Sequence, residues 1–264
     1  MRLAFERHPG PDAGPVLLLL HGFLSSRAQW TPNIKSLCDV CCPVTVELWG
    51  HGRSPAPAEA TYYTAAGYVE AFELVRQAIG VDSWFVCGQS FSVGLIARYA
   101  LRHPEVIRGQ ILTNSLSAFS PPTRYGSDSE RELQAKIIEA EGLPAIERFK
   151  FHPRYAKRFP VEIKQAMLAD SARLSPQGIA NAIRYTRPEL SIVAEFEKTV
   201  VPTLIVNGQR ERGFQPLLEG ARSLLPSLKA VNLDGGHSIN IEAASGFNEA
   251  ATQFLTVNCK SARQ

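Results

Sequence analysis

The sequence predicts an α/β fold, a mostly parallel central sheet flanked by helices, with a helical insertion ahead of the last strands. Three observations predict it. Short apolar or β-favouring runs at 16–20, 44–47, 84–87 and 110–113 alternate with helical patterns at 27–37, 63–79 and 91–102, the order that builds parallel strands through helical crossovers. From 116 to 190 the pattern turns helical, at 129–141, 161–172 and 175–185, after the Pro121-Pro122 pair and with no strand among them. Strand-like runs then resume at 203–207 and 229–233.

Each element has its punctuation. A short extended segment around 3–5 opens the chain, Gly80 stops the 63–79 helix, and Pro104 lies beyond 91–102. A helix around 216–225 separates the last two strands, and one around 241–255 follows them. A chain of 264 residues suits one core with an insertion better than two independent domains. The expected organisation is a core of 1–115 and 191–264 carrying a helical cap, or lid, of 116–190.

Composition narrows the function classes. Hydrophobic residues at 45% and charged residues at 20% are ordinary globular usage, so the chain should fold alone. A net charge of +3 from dispersed basic residues does not make a nucleic-acid footprint. The apolar run at 16–20 is far too short for a membrane span, and no cleavage-like pattern precedes it, so a cytoplasmic location is expected. Five cysteines without a CxxC framework read as reduced structural thiols. Six scattered histidines, with neither an HExxH motif nor a Cys/His cluster, predict no metal, and no cofactor is expected.

In a parallel sheet, ligands bind beyond the carboxyl ends of the strands, so chemistry is sought in the residues that follow each run. After 84–87 comes Gly88-Gln89-Ser90-Phe91-Ser92-Val93-Gly94, a tight strand-to-helix turn with small residues on both sides of a serine. Taken alone, the turn reads equally as Ser90 capping the next helix. A serine nucleophile requires a base at the same sheet edge, and His237 follows the last strand in Leu233-Asp234-Gly235-Gly236-His237. His21 and His51 sit in tight glycine loops and read as structural. A base requires an acid to hold its tautomer, and Glu211 is the one acidic residue between Lys198 and Leu218. Its competing role is a surface ion pair with Arg210 or Arg212.

With these residues in place, the chain resembles the α/β-hydrolase family from His21-Gly22-Phe23 to the helix containing Phe254. Four segments match in order: the His-Gly-Phe loop, Gly50-His51-Gly52-Arg53-Ser54 with the Glu47-Leu48-Trp49 that precedes it, the serine turn, and Gly236-His237. The resemblance implies a triad of Ser90, Glu211 and His237, with an oxyanion hole from the backbone N–H groups of Phe23 and Phe91. Three departures stand out. The acid is Glu where Asp is commoner, Ser92 replaces a glycine, and Trp49 stands where proline is frequent, which would place an indole beside the substrate pocket. Serine at the nucleophile position excludes the relatives that attack with a carboxylate.

The implied activity is hydrolysis of an ester or thioester, or a lactone, through an acyl-enzyme on Ser90. Two alternatives share the scaffold: a C–C lyase resembling a synthase of menaquinone formation, and a ligand-binding receptor with vestigial hydrolysis. A small-molecule acyl substrate is expected, in a site made apolar by Phe23, Trp49 and Phe91. The 116–190 segment holds 12 Lys and Arg against 9 Asp and Glu. Its run of Arg148, Lys150, Arg154, Lys157 and Arg158 contains no acid, so an acidic carrier such as coenzyme A or an acyl-carrier protein would dock there. The plainer reading of the run is a solvated helix face.

Overall fold

A computed structural model describes residues 1–261. Among them seven strands form one sheet: β1 (Phe5–Arg7), β2 (Val16–Leu20), β3 (Cys42–Val46), β4 (Trp84–Gly88), β5 (Ile107–Thr113), β6 (Thr203–Gly208) and β7 (Lys229–Leu233). Their spatial order is β1-β3-β2-β4-β5-β6-β7. β1 runs antiparallel to β3, and every other neighbouring pair is parallel.

The central strands read as unbroken apolar runs because both their faces are covered. Alternation along β2 shows it: Leu18 and Leu20 enter one core with Tyr68, Phe72, Leu95 and Ile96, while Leu17 and Leu19 enter another with Trp30, Phe247 and Phe254. The first core lies under α2 (Ala65–Ile79) and α3 (Phe91–Arg102), the second under α1 (Thr31–Cys38) and the C-terminal helices. Gly80 closes α2 in the left-handed conformation, at φ 74.

The segment between β5 and β6 contains helices and no strand: α4 (Leu116–Phe119), α5 (Asp128–Glu141), α6 (Leu143–Glu147), α7 (Val161–Ser171) and α8 (Pro176–Asn181). Ser127 and Glu130 form a capping box at the start of α5. Arg184, in the π-turn that continues α8, reaches back to Glu132 at 2.7 Å and to Glu139 at 2.8 Å. Beyond the insert, α9 (Gln215–Leu224) links β6 to β7, and α10 (Ile239–Glu242) and α11 (Ala244–Ser261) are the last of the described elements.

Several boundaries differ from the sequence reading, β5 beginning at Ile107 and α2 at Ala65 among them. Leu3 is buried, but pairing starts only at Phe5, where the chain meets Val46 of β3. The first helix opens with a 3₁₀ turn over Arg27–Trp30 before α1, which has Pro32 in its first turn. The last helix is two, because Ala243 at φ −136 and ψ 53 breaks the register between α10 and α11. All five cysteines are unpaired. No helix among the described residues is long and apolar enough to cross a membrane.

A buried amide network fastens α10 to the core. Asn33 of α1 donates to Asn240 O at 2.9 Å and to Asn248 Oδ1 at 2.8 Å, and Asn240 donates back to Asn33 Oδ1 at 3.1 Å. Truncation would strand these partners without water, so Asn33→Ala should lower the unfolding free energy by about 1–3 kcal/mol. Urea unfolding with an unchanged slope would register it.

Candidate active site

Ser90 sits where β4 turns into α3, at φ 54 and ψ −108, a left-handed conformation that a serine adopts only under constraint. Two side chains from the end of β5 supply the constraint. Ser90 N–H donates to Thr113 Oγ1 at 3.3 Å, and Ser115 Oγ donates to Ser90 O at 2.7 Å. Gly88 is required by contact, since a Cβ there would lie 2.9 Å from both Ser92 O and the Ile96 side chain. Ser92, the departure from the usual glycine, is buried and donates from Oγ to His21 O at 2.5 Å, tying the start of α3 to the loop after β2.

His237 Nε2 lies 2.7 Å from Ser90 Oγ, and its Nδ1 lies 2.9 Å from Glu211 Oε1. A carboxylate only accepts, so the ring proton belongs on Nδ1, and Nε2 is left to accept the serine proton. Burial opposes the charge on Glu211. The hydrogen bond and charge of His237 outweigh it, aided by Asn114 and Arg124, and hold the carboxyl below the usual glutamate value. Asn114 is itself fixed, its Nδ2 donating to Gly208 O at 2.9 Å and its Oδ1 accepting from Gly208 N–H at 2.8 Å.

The loops carrying acid and base are stitched together. Past the pairing of β6 with β7, Gln209 N–H donates to Leu233 O and Arg210 N–H to Gly235 O. Arg210 makes its ion pair with Asp234, through two contacts of 2.6 Å, leaving Glu211 to His237. Gln89 Nε2 donates to His237 O at 3.2 Å, binding the base loop to the serine turn.

Two backbone N–H groups in the loops beside Ser90 are left without an acceptor among the described residues. In the loop after β2, Gly22 N–H donates to Gln29 Oε1 and Leu24 N–H to His51 Nε2, each at 3.2 Å, while Phe23 N–H has no acceptor among the described residues. The serine turn repeats the pattern: the N–H groups of Ser90, Ser92 and Val93 are bonded and that of Phe91 is not. The Phe23 and Phe91 rings stack with centroids 5.0 Å apart. Burial pushes His21 down to about 4 and His51 to about 3, and the Nε2 of each accepts a backbone N–H, so both are neutral struts and not bases.

Ser90 and His237 open onto a cavity of about 610 Å³. Its inner wall includes Phe23, Phe91, Leu116, Phe159, Met167 and Leu190, so it is largely apolar. Trp49 is not part of it. The indole is fully buried, edge-on to Tyr62 at 5.4 Å, because the turn after β3 points it into the main core. The anticipated indole beside the pocket is thus a core residue, and the aromatic wall comes from Phe151, Tyr155 and Phe159 of the insert instead.

Within the basic run, Arg148 pairs with Glu141, Arg154 with Glu147 and Arg158 with Glu242. Lys150 and Lys157 have no carboxylate partner among the described residues, and both line the cavity. Among the described residues there is no cluster of three metal-ligating side chains. The roles of Thr113, Ser115 and Gln89 were not legible, because each acts through a bond that exists only once distant strand ends meet, and Glu242 acts through bonds to Gly236 and Ser238 that depend on the fold of the loop between them.

With the sheet order and this geometry established, the fold finds counterparts among known proteins. A model of the α/β-hydrolase fold matches residues 15–137. The chain has the α/β-hydrolase fold. It is 23% identical to a putative 2-succinyl-6-hydroxy-2,4-cyclohexadiene-1-carboxylate synthase of Bacillus subtilis (strain 168), over 94% of this chain and 92% of that one. It is 24% identical to the carboxylesterase YbfK of the same organism, over 93% of this chain and 82% of that one. The crystal structure of the enol-lactonase from Burkholderia xenovorans LB400 superposes on this α/β-hydrolase fold with a TM-score of 0.78 and 21% identity, covering 96% of each chain.

The lowered pKa of Glu211 has a sign for stability. A carboxyl depressed in the fold adds stability at pH above its unfolded value and loses it as pH falls through the folded one. The stability difference between the wild type and Glu211→Gln should therefore hold steady near neutrality and shrink as pH drops below the ordinary carboxylate range, measured by urea midpoints across pH.

Proposed function

We propose that this α/β-hydrolase-fold protein is a serine hydrolase cleaving an ester or thioester, lactones included, through an acyl-enzyme on Ser90. The observation that carries the reading is the hydrogen-bonded series from Ser90 Oγ through His237 to Glu211 Oε1, at 2.7 and 2.9 Å, beside an apolar cavity. Ser90 Oγ attacks the carbonyl carbon while His237 Nε2 takes its proton, and Glu211 stabilises the imidazolium. The negative charge moves to the former carbonyl oxygen, where the N–H groups of Phe23 and Phe91 and the start of α3 receive it. Collapse expels the alcohol or thiol, protonated by His237. Water, deprotonated by the same nitrogen, then attacks the acyl-enzyme and frees the acid and Ser90.

The wild type should be labelled by a fluorophosphonate at Ser90 and should turn over members of an ester and thioester panel. Ser90→Ala should lose labelling and about 10⁴-fold or more in kcat, and Glu211→Gln should keep labelling at a reduced rate. Absence of both labelling and turnover in the wild type would sink the hydrolase reading. A second reading, C–C lyase chemistry in which Ser90 and His237 move a proton without acylation, draws on the likeness to the putative synthase. Turnover of a carbon acid with no trappable acyl-enzyme would favour it.

The unpaired ammonium groups of Lys150 and Lys157 at the cavity support an acidic leaving group or carrier, of the coenzyme A or acyl-carrier type. Replacing both by Glu should lower kcat/KM for a coenzyme A thioester at low salt, with the difference closing as ionic strength rises. The same acyl group on a neutral thiol should be unaffected.

A further inference from the structure

Glu242 has no part in the relay, yet its carboxylate is nearly enclosed, with 9% of the side chain exposed, at the edge of the cavity. It accepts from Gly236 N–H at 3.0 Å and Ser238 N–H at 3.4 Å, the N–H groups of the residues on either side of His237. A Cβ on Gly236 would fall 2.9 Å from Glu242 Oε1 and 3.0 Å from Arg158 Nη1, so glycine at 236 is what admits the carboxylate to this position. With Gln89 holding His237 O, the peptide group that follows the base is held at both its C=O and its N–H, and the one that enters Gly236 at its N–H.

The same carboxylate is the place where the insert touches the base loop. Arg158 Nη1 lies 3.2 Å from Glu242 Oε2. Beside this pair, Ile163 and Met167 of α7 pack on Ile241, the neighbour of Glu242 in α10, with Phe159 against the cluster. One short helix thus carries an apolar seat for the insert and the acceptor that orients the loop of His237.

We propose that Glu242 is a positioning residue for His237, and that Arg158 makes its grip depend on the insert resting over the cavity. Removing the carboxylate releases two peptide N–H groups and lets the imidazole drift from Ser90 and Glu211, a displacement that lowers turnover without altering the acyl pocket. Arg158 acts only through Glu242, so removing it loosens the same grip by less.

The proposal rests on the hydrolase reading for its kinetics but has a readout free of it: the low-field Nδ1 proton resonance of a histidine hydrogen-bonded to a carboxylate, observed by NMR in the resting protein. Glu242→Gln should broaden or lose that resonance and lower kcat by about 10- to 100-fold, with KM nearly unchanged. Arg158→Ala, an exposed change that leaves the fold intact, should weaken the resonance and lower kcat by about 3-fold. The double variant should match Glu242→Gln, since both changes act on one contact. An intact resonance with wild-type kcat in Glu242→Gln would overturn the proposal. So would an Arg158→Ala loss that adds to that of Glu242→Gln, or one confined to KM, which would make Arg158 a substrate contact. Should Glu242→Gln fail to fold, the Arg158→Ala resonance and kcat decide alone. A resonance that responds as expected in a protein that cleaves no ester would leave this positioning role standing and remove the hydrolase reading.

Discussion

The backbone of Ser90 is the constraint on which the site depends. A serine at φ 54 and ψ −108 occupies a sparsely populated conformation costing of the order of 1–3 kcal/mol, and it persists because its surroundings leave no relaxed alternative. Thr113 and Ser115 hold its N–H and C=O, Gly88 and the start of α3 are packed too closely to widen the turn, and Ser92 anchors the helix to His21. The strain has a chemical use. It projects Oγ beyond the sheet edge and leaves Phe91 N–H beside it without a partner.

The remaining parts converge on that point because a parallel sheet ends all its central strands on one side. β2 delivers Phe23, β4 Ser90, β5 the struts Thr113 and Ser115, β6 Glu211 and β7 His237. Buried imidazoles reinforce the convergence. Deprived of water, His21 and His51 stay neutral and serve as rigid links between the loops after β2 and β3, while His237 is the histidine hydrogen-bonded to Ser90. The insert completes the enclosure with Phe159 and Met167 on the cavity wall and Arg158 on Glu242.

Charge in the insert shows how pairing reshapes a pattern. Along the chain, five basic residues from Arg148 to Arg158 look like one patch. In the fold, three are neutralised by Glu141, Glu147 and Glu242, and only the last of these acids lies outside the insert. Lys150 and Lys157, on the cavity lining, remain without a carboxylate partner among the described residues.

The amino-acid sequence by itself determined the strands, since doubly covered strands must be apolar throughout, and it singled out Ser90, Glu211 and His237 because few residues of the required chemistry follow strand ends. Phe23 and Phe91 were reached through family resemblance, and the unbonded state of their N–H groups only through the coordinates. Trp49 was misplaced because a side chain's direction after a turn depends on dihedral angles that no pattern of residue types encodes. The struts at Thr113 and Ser115 and the contact of Arg158 with Glu242, residues 84 apart, were decided by tertiary structure alone: hydrogen bonds between distant segments depend on distance and direction in space, and sequence separation carries neither.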